Sequence, residues 1–481
     1  MITEVGIAVA LAISGSALLT VVRRDVTAAA RCWLSVPIGA ALYSIVALVS
    51  LVIVGTLDPA IALIAALGLG LVVTAITLLK GGGLRREDLL WMLIGVGVAA
   101  VTAVAARQLH LTRLTPDSLR YLLASNHLVL TEGLREMNAV DLVTRQIGLP
   151  ALHSMSDLVG RRYLASLGPL FGTFGLGLFV WLAVDLTRGA LARRNRLVLV
   201  ATASLFLLSS NRLVYDSFYI NTHIQMAAYL LIAVAGTWLA VSRGLSLWAV
   251  PSGLALAVTL LFRPEAPLVV AILLVTVAAS RATMSVRLAM TLPTLAVGAL
   301  WYGLGLWRYA AGGDEISPTA PVFGSLVAIG LAVALCLVSG AHRARPWARW
   351  LDLAGVAGLA LLLVFYIATD PAVFGTSIES TVRNLVRDGF WLLTWVAAIA
   401  LLLVALVVES IPDGRLWTIP VIGFALLYWA LPYIREGAWR VGAGDSGNRI
   451  LAHYLAVTVV FLVLAAVHNR GGASGGQTET M

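Results

Sequence analysis

The chain has 481 residues, 60% of them hydrophobic and only 12% charged, and its mean hydropathy is +0.94. That leaves too little polar surface to cover a soluble globule of this length, so lipid is the expected main solvent. The formal charge of +9 is spread over many connections and forms no tail or stripe, which argues against nucleic acid as a partner. Apolar runs of roughly 17 to 23 residues recur from end to end, each about long enough to cross a bilayer as a helix. No period-two alternation points to a barrel. The expected fold class is all-α, a polytopic transmembrane helical bundle. Its runs lie near 5–22, 33–55, 59–79, 89–106, 164–186, 197–210, 224–241, 246–262, 266–280, 288–307, 320–340, 351–369, 390–409, 416–434 and 450–467, which predicts about fifteen spans.

The first run has only Met1-Ile2-Thr3-Glu4 before it and Arg23-Arg24 after it, the reverse of a secretory signal, and reads as a retained span. Cys32 and Cys336 are far apart, beside or within predicted spans, and read as apolar fillers. Lys80 is the one lysine among the 33 basic residues, so the chain is rich in fork-shaped donors suited to phosphate.

Arginine falls on alternate connections: Arg23, Arg24 and Arg31; Arg85 and Arg86 with Lys80; Arg188, Arg193, Arg194 and Arg196; Arg281 and Arg287; Arg343, Arg345 and Arg349. Cytoplasmic loops carry such an excess, so the N-terminus is expected outside and the C-terminus inside a multi-pass cell-membrane protein. The long polar connections 107–163, 211–223, 308–319, 370–389 and 435–449 then all fall on the extracytoplasmic face. Loops gathered on one side suit an enzyme or receptor for something arriving from that side.

Within the longest of these, Thr115-Pro116-Asp117 opens like a helix, with Thr115 as cap, Pro116 at the first position and Asp117 in the first turn. Leu119, Leu122, Leu123, Leu128 and Leu130 would anchor it along the membrane surface, with Arg120, Glu132 and Arg135 facing water. A second stretch, 155–167, carries Asp157, Arg161 and Arg162 into the next span.

Pro116-Asp117-Ser118-Leu119-Arg120-Tyr121 resembles the acidic motif of the GT-C superfamily of membrane glycosyltransferases. Their first extracytoplasmic loop holds an acid just after a span, followed by surface helices. The resemblance extends to 156–168 as the following helix, to Asn221-Thr222-His223 opening a span, to Arg263-Pro264-Glu265 between two short spans and to Asn448-Arg449 before the last. It implies a GT-C-like catalytic module over 89–467, including loop 107–163, a three-span N-terminal module over 1–88 and a disordered cytoplasmic tail over 468–481. Two departures are visible. Three additional spans, over 5–79, stand ahead of the single span that family members have before this loop, and a single Asp-Ser stands where the metal-using branches have paired acids.

The implied activity is inverting transfer of a sugar from a polyprenyl-phosphate donor to a cell-envelope glycan or lipid acceptor. Such chemistry needs a carboxylate as general base, for which Asp117 is the candidate. It also needs arginines that pair the phosphate more strongly as its charge grows, for which Arg263, Arg449 and Arg440 are the candidates. Arg263-Pro264-Glu265 interrupts apolar sequence on both sides, and an ionisable pair there is either functional or a structural ion pair at an interfacial turn. Asp157, Glu265, His153 and His223 are possible accessory residues, with Asp157 the substitute base. Glu132, Glu136 and Asp141 read as solvated charges, and His127 and His453 as interfacial or packing residues.

No spacing supports a protein-built metal site, while a divalent cation, Mg2+ or Mn2+, shared between Asp117 and a substrate phosphate stays open. There is no nucleotide-binding loop, so the donor should be an activated lipid. Two alternatives remain: a transporter or flippase of a lipid-linked substrate, and a lipid-diphosphate-dependent polymerase or ligase.

Overall fold

The computed structural model describes residues 2–80, 83–110, 112–130, 146–312, 319–341, 345–408, 411, 413–435 and 437–475. Among them every regular element is helical, and the one β-type pairing is an isolated bridge between Arg113 and Tyr219. Four helices come first: α1 (Ile2–Leu18), α2 (Ala28–Val54), α3 (Pro59–Leu79) and α4 (Arg86–Gln108). The long connection carries α5 (Pro116–Val129) and α6 (Gly148–Ser154). Next come α7 (Leu167–Thr187), α8 (Arg193–Leu208), α9 (Asn211–Phe218), α10 (His223–Ser242), α11 (Ala249–Thr259), α12 (Ala266–Ala279), α13 (Met284–Gly312) and α14 (Thr319–Val338). The chain closes with α15 (Arg345–Ala348), α16 (Leu351–Thr369), α17 (Pro371–Arg383), α18 (Thr394–Val408), α19 (Arg415–Ile434), α20 (Ser446–Ile450) and α21 (Ala452–Gly475).

Ten helices among the described residues are long and apolar enough to cross a membrane, or eleven if α8 and α9, bent by 64° at their junction, form one span. The chain reads as a multi-pass membrane protein. Its span count by this measure is lower than the fifteen expected from apolar runs. Each run is helical, but those near 246–262, 266–280, 320–340 and 390–409 give described apolar helices of only 10–17 residues. A helix rises about 1.5 Å per residue, so α11 and α12, of 11 and 14 residues, fall short of a hydrocarbon core of about 30 Å.

The helix starts follow local chemistry. Thr27 Oγ1 accepts from Ala30 N–H, Asp58 from Ala60 and Ile61, and Thr115 from Ser118, each satisfying a donor that the first turn leaves free. Packing then grades the helices by exposure. The most hydrophobic 18-residue stretch of α10 is 94% buried, with α7, α11, α19 and α21 around it, whereas that of α3 is 17% buried and leaves Ile61, Ile64 and Leu79 exposed. A helix apolar all round belongs inside such a bundle, and exposed apolar faces belong against lipid. Close approach of α1 to α2 depends on two glycines: a Cβ on Gly15 would collide with the Ser35 carbonyl oxygen, and one on Gly39 with that of Leu11. The first helices are continuous with the rest of the bundle, because α2 packs on α7 and α11 and α4 on α7.

The connections sort to two ends. At one end Arg23 donates to the Gly83 carbonyl, Arg31 pairs with Asp88, Leu247 N–H donates to Asp25, and Arg243 pairs with Asp185 at 2.6 Å. At the other end lie Glu4 with Ser166, Arg113 with Phe218, and Tyr433 with Asp370. The arginine-bearing connections named first therefore stand opposite the long polar ones.

Two details differ from expectation. The stretch expected as a helix over 156–168 is one 3-10 turn, Met155–Val159, ended by Gly160 in the left-handed conformation at φ 60° and followed by non-helical chain up to α7. And α21 continues to Gly475, past the expected boundary at 468. Glu132, Arg135, Glu136 and Asp141 lie outside the described residues.

Candidate functional site

Three breaks in the helical order build a polar cavity of about 180 Å³ at the end carrying the long connections. Asp117, Tyr121, Asn221, His223, Arg263, Arg435, Ser446 and Arg449 line it. Asp117 and Tyr121 lie one turn apart on α5, which starts at Pro116 as its cap predicts. Of the expected apolar anchors on α5, Leu119 and Leu123 are exposed and Leu128 is buried in the core, so the helix lies half in and half out of the bundle.

Arg263 sits where α11 gives way to α12. Pro264 disfavours helix in the residue before it and cannot donate an N–H, so the chain turns here and restarts at Ala266. Arg263 Nε donates to Glu265 Oε1 at 2.8 Å, with the side chains 8% and 2% exposed. Arg263 Nη2 and Glu265 Oε2 are buried with no hydrogen-bond partner. Burial by itself would push the Glu265 carboxyl up, but the Arg263 guanidinium, with Arg435 and His453 behind it, holds it down at about 2. An unsatisfied guanidinium nitrogen in a polar cavity is a donor awaiting an acceptor.

Arg449 is aimed by α20. Asp445 caps this helix by accepting from Gly447 and Asn448, and the Asn448 side chain is locked between Trp391 Nε1 at 2.6 Å and the Gly389 carbonyl at 3.1 Å. Arg449 then reaches Asp117 Oδ2 at 2.9 Å through Nη2 and the Tyr219 hydroxyl at 3.1 Å through Nη1. Tyr219 is fixed in turn by Thr115 at 2.6 Å. Burial raises the pKa of the Tyr219 hydroxyl, so it stays a neutral partner.

Asp117 and Arg449 also line a second cavity of about 280 Å³, with Thr115, Pro116, Tyr215, Tyr219, Ala443 and Gly444. The ion pair is thus the partition between an arginine-rich chamber and an aromatic one. Its wall is held by Arg212, fully buried with Asp216 at 3.0 Å, whose Nη1 donates to the Ala443 carbonyl at 2.6 Å.

Asp117, Arg263, Arg449 and His223 therefore meet, with Glu265 immediately behind. Arg440 does not line the cavity: its side chain is exposed, and its carbonyl accepts from Asn384. Asp157 is exposed outside the cavity, its pKa raised by burial of part of the carboxyl. His153 is a buried residue of α6, accepting Leu164 N–H at 3.3 Å, and burial lowers its pKa to about 3. His223 Nδ1 lies 2.9 Å from His453 Nε2, so the expected packing histidine is a direct partner of a cavity residue.

Arg435, Tyr121, Tyr219 and the Arg212–Asp216 pair were not singled out from sequence. The last had a signal, an arginine and an aspartate four apart on one short polar helix. Arg435 had none beyond its place in the 435–449 connection.

Chemically, three guanidinia face one carboxylate in the smaller cavity, a balance that favours an anion with several acceptor oxygens. It does not fit a resident divalent cation, since the one lining carboxylate is already paired with Arg449, and no group of three or more His, Cys, Asp or Glu able to hold a metal occurs among the described residues. Compared with family models, curated proteins and solved structures, the chain finds no match.

Proposed function

We propose that the chain is a membrane glycosyltransferase that moves a sugar from a polyprenyl-phosphate donor to a glycan or lipid acceptor of the cell envelope, on the extracytoplasmic side. The observation that carries this reading is the convergence of Asp117, Arg263, Arg435 and Arg449, from four separate segments, on one polar cavity. The arginine-bearing connections at the far end of the bundle support the sidedness.

In this mechanism the donor phosphate takes the free donor of Arg263 together with Arg435 and draws Arg449 away from Asp117. The released carboxylate accepts the proton of an acceptor hydroxyl held beside Tyr215 and Tyr219. The acceptor oxygen bonds to the anomeric carbon from the face opposite the phosphate, the carbon–oxygen bond to phosphate breaks, and the phosphate leaves with that electron pair. Its added negative charge strengthens every guanidinium contact in the transition state.

The test is Asp117→Asn with a radiolabelled polyprenyl-phosphate sugar. Transfer should fall by about 10²- to 10⁴-fold, the usual worth of a general base, with expression and melting unchanged. Full transfer by a well-folded variant would overturn the assignment. Movement of the label across proteoliposomes without chemical change would favour a flippase.

A second reading draws support from Arg435. Three guanidinia exceed what the single charge of one phosphodiester demands and suit a lipid diphosphate, as in a glycan polymerase or ligase. Comparing transfer from the two donor classes separates them.

A further inference from the structure

We infer a second anion site, for a phosphate-bearing head group, in the cavity of about 320 Å³ lined by Glu4, Arg107, His110, Thr112, Arg161 and Arg162. It opens where α1 begins, α4 ends and α7 is about to start, so three helices long and apolar enough to span a membrane place it at the level of the lipid head groups. A pocket at that depth whose guanidinia can pair phosphate oxygens suits an anionic head group.

Its construction is specific. Glu4 is 2% exposed, and its Oε1 accepts from both the backbone N–H and the hydroxyl of Ser166 at 2.9 and 3.0 Å. Glu4 Oε2 has no hydrogen-bond partner, nor has Arg107 Nη1, 3.8 Å away on a side chain that is 20% exposed. Glu4 thus ties α1 to the start of α7 and sets Arg107 in the wall, while leaving that guanidinium nitrogen without an acceptor. Arg161 and Arg162 come from the turn after Gly160, whose left-handed backbone lets Arg161 N–H return to the Ser156 carbonyl at 3.0 Å and presents two exposed arginines in succession. Three guanidinia against one carboxylate leave an excess of two positive charges. The unpaired donor wants an acceptor of its own, which a phosphate oxygen supplies.

The site is also joined to the first cavity. Thr112 lines the one and Thr115 the other, and three residues span at most about 11 Å even when fully extended. Arg113 N–H donates to the Phe218 carbonyl at 2.9 Å, holding this link against the segment that carries Tyr219. A head group bound beside Arg107 would therefore order the segment that leads into Asp117.

The test uses the full chain in phosphatidylcholine nanodiscs, with binding of phosphatidylglycerol or phosphatidic acid followed by native mass spectrometry, and inorganic phosphate added as competitor in a parallel arm. The exposed pair is changed together, Arg161→Ala with Arg162→Ala, and Arg387→Gln, at an 88% exposed arginine that lines neither cavity, serves as control. Each interfacial arginine contributes about fivefold to binding an anionic head group, so the double variant should bind about thirtyfold more weakly, while Arg387→Gln binds as the parent does. Competition by inorganic phosphate would identify phosphate alone as the ligand; binding of anionic lipid without such competition would identify a lipid head group. Either supports the site. Equal retention of neutral and anionic lipid by the parent chain, or unchanged binding in the double variant, would overturn it. The readout does not depend on sugar transfer, so it stands apart from the proposed activity.

Discussion

Replacing Arg263 with glutamine removes one half of an ion pair whose side chains are 8% and 2% exposed, and strands Glu265 among buried groups. Breaking such a pair from one side typically costs about 3–5 kcal/mol, because the remaining charge keeps its desolvation penalty and loses its compensation. The carboxyl leads to a similar figure: the gap between its ordinary 4.5 and about 2 corresponds to about 3 kcal/mol. A depressed carboxyl pKa contributes stability that is fully present above the ordinary value and is lost as pH falls through the folded one. The stability gap between parent and Arg263→Gln should therefore be open at pH 7 and close as pH falls from 4.5 toward 2. Equilibrium unfolding of the full chain in mixed micelles measures it.

The companion Glu265→Gln should also destabilise, since it strands Arg263, yet it keeps the guanidinium in the cavity. Donor binding should accordingly fail in Arg263→Gln and survive in Glu265→Gln. A loss of less than about 1 kcal/mol in Arg263→Gln would refute the claim that Arg263 is what keeps Glu265 ionised, since it falls below the range for a buried pair. Equal loss of donor binding in both variants would reduce the pair to a structural turn.

Other expectations follow from single contacts. His153 is held neutral by burial with a pKa of about 3, so the unfolded chain takes up its proton first. Stability from this group is full above pH 6.5 and declines toward pH 3, by about 2 kcal/mol at pH 5. His153→Gln should flatten that part of the unfolding profile; an unchanged slope between pH 7 and 5 would count against it. Arg212→Gln leaves Asp216 buried and frees the Ala443 carbonyl, so it should destabilise by about 3 kcal/mol or more and slow transfer through a loosened 443–449 segment, both read on the purified protein. Gly39→Ala places a methyl group against the Leu11 carbonyl and should cost about 1–3 kcal/mol by overpacking, with the melting point of the detergent-solubilised chain as its measure.

Features that neighbouring residues decide were legible along the chain. Fifteen apolar runs became helices, Thr115-Pro116 started α5 where a capping hydroxyl and a proline require, and Pro264 broke the chain between α11 and α12. Asp117, Arg263 and Arg449 were also readable, as charged residues at such breaks. Whether a run is long enough to span depended on where each helix ends, which at 246–280 leaves helices of 11 and 14 residues. The turn at Gly160 replaced an expected helix because a left-handed residue stops one, a choice that Asp157 and Arg161 do not announce. Only the tertiary structure chose Arg435 over Arg440: both lie on one connection, and which guanidinium turns into the cavity depends on contacts far off in sequence, among them Asn384 holding the Arg440 carbonyl. Local chemistry acts over one helical turn, whereas a site gathered from α5, the α11–α12 break, the end of α19 and α20 exists only once the bundle has closed.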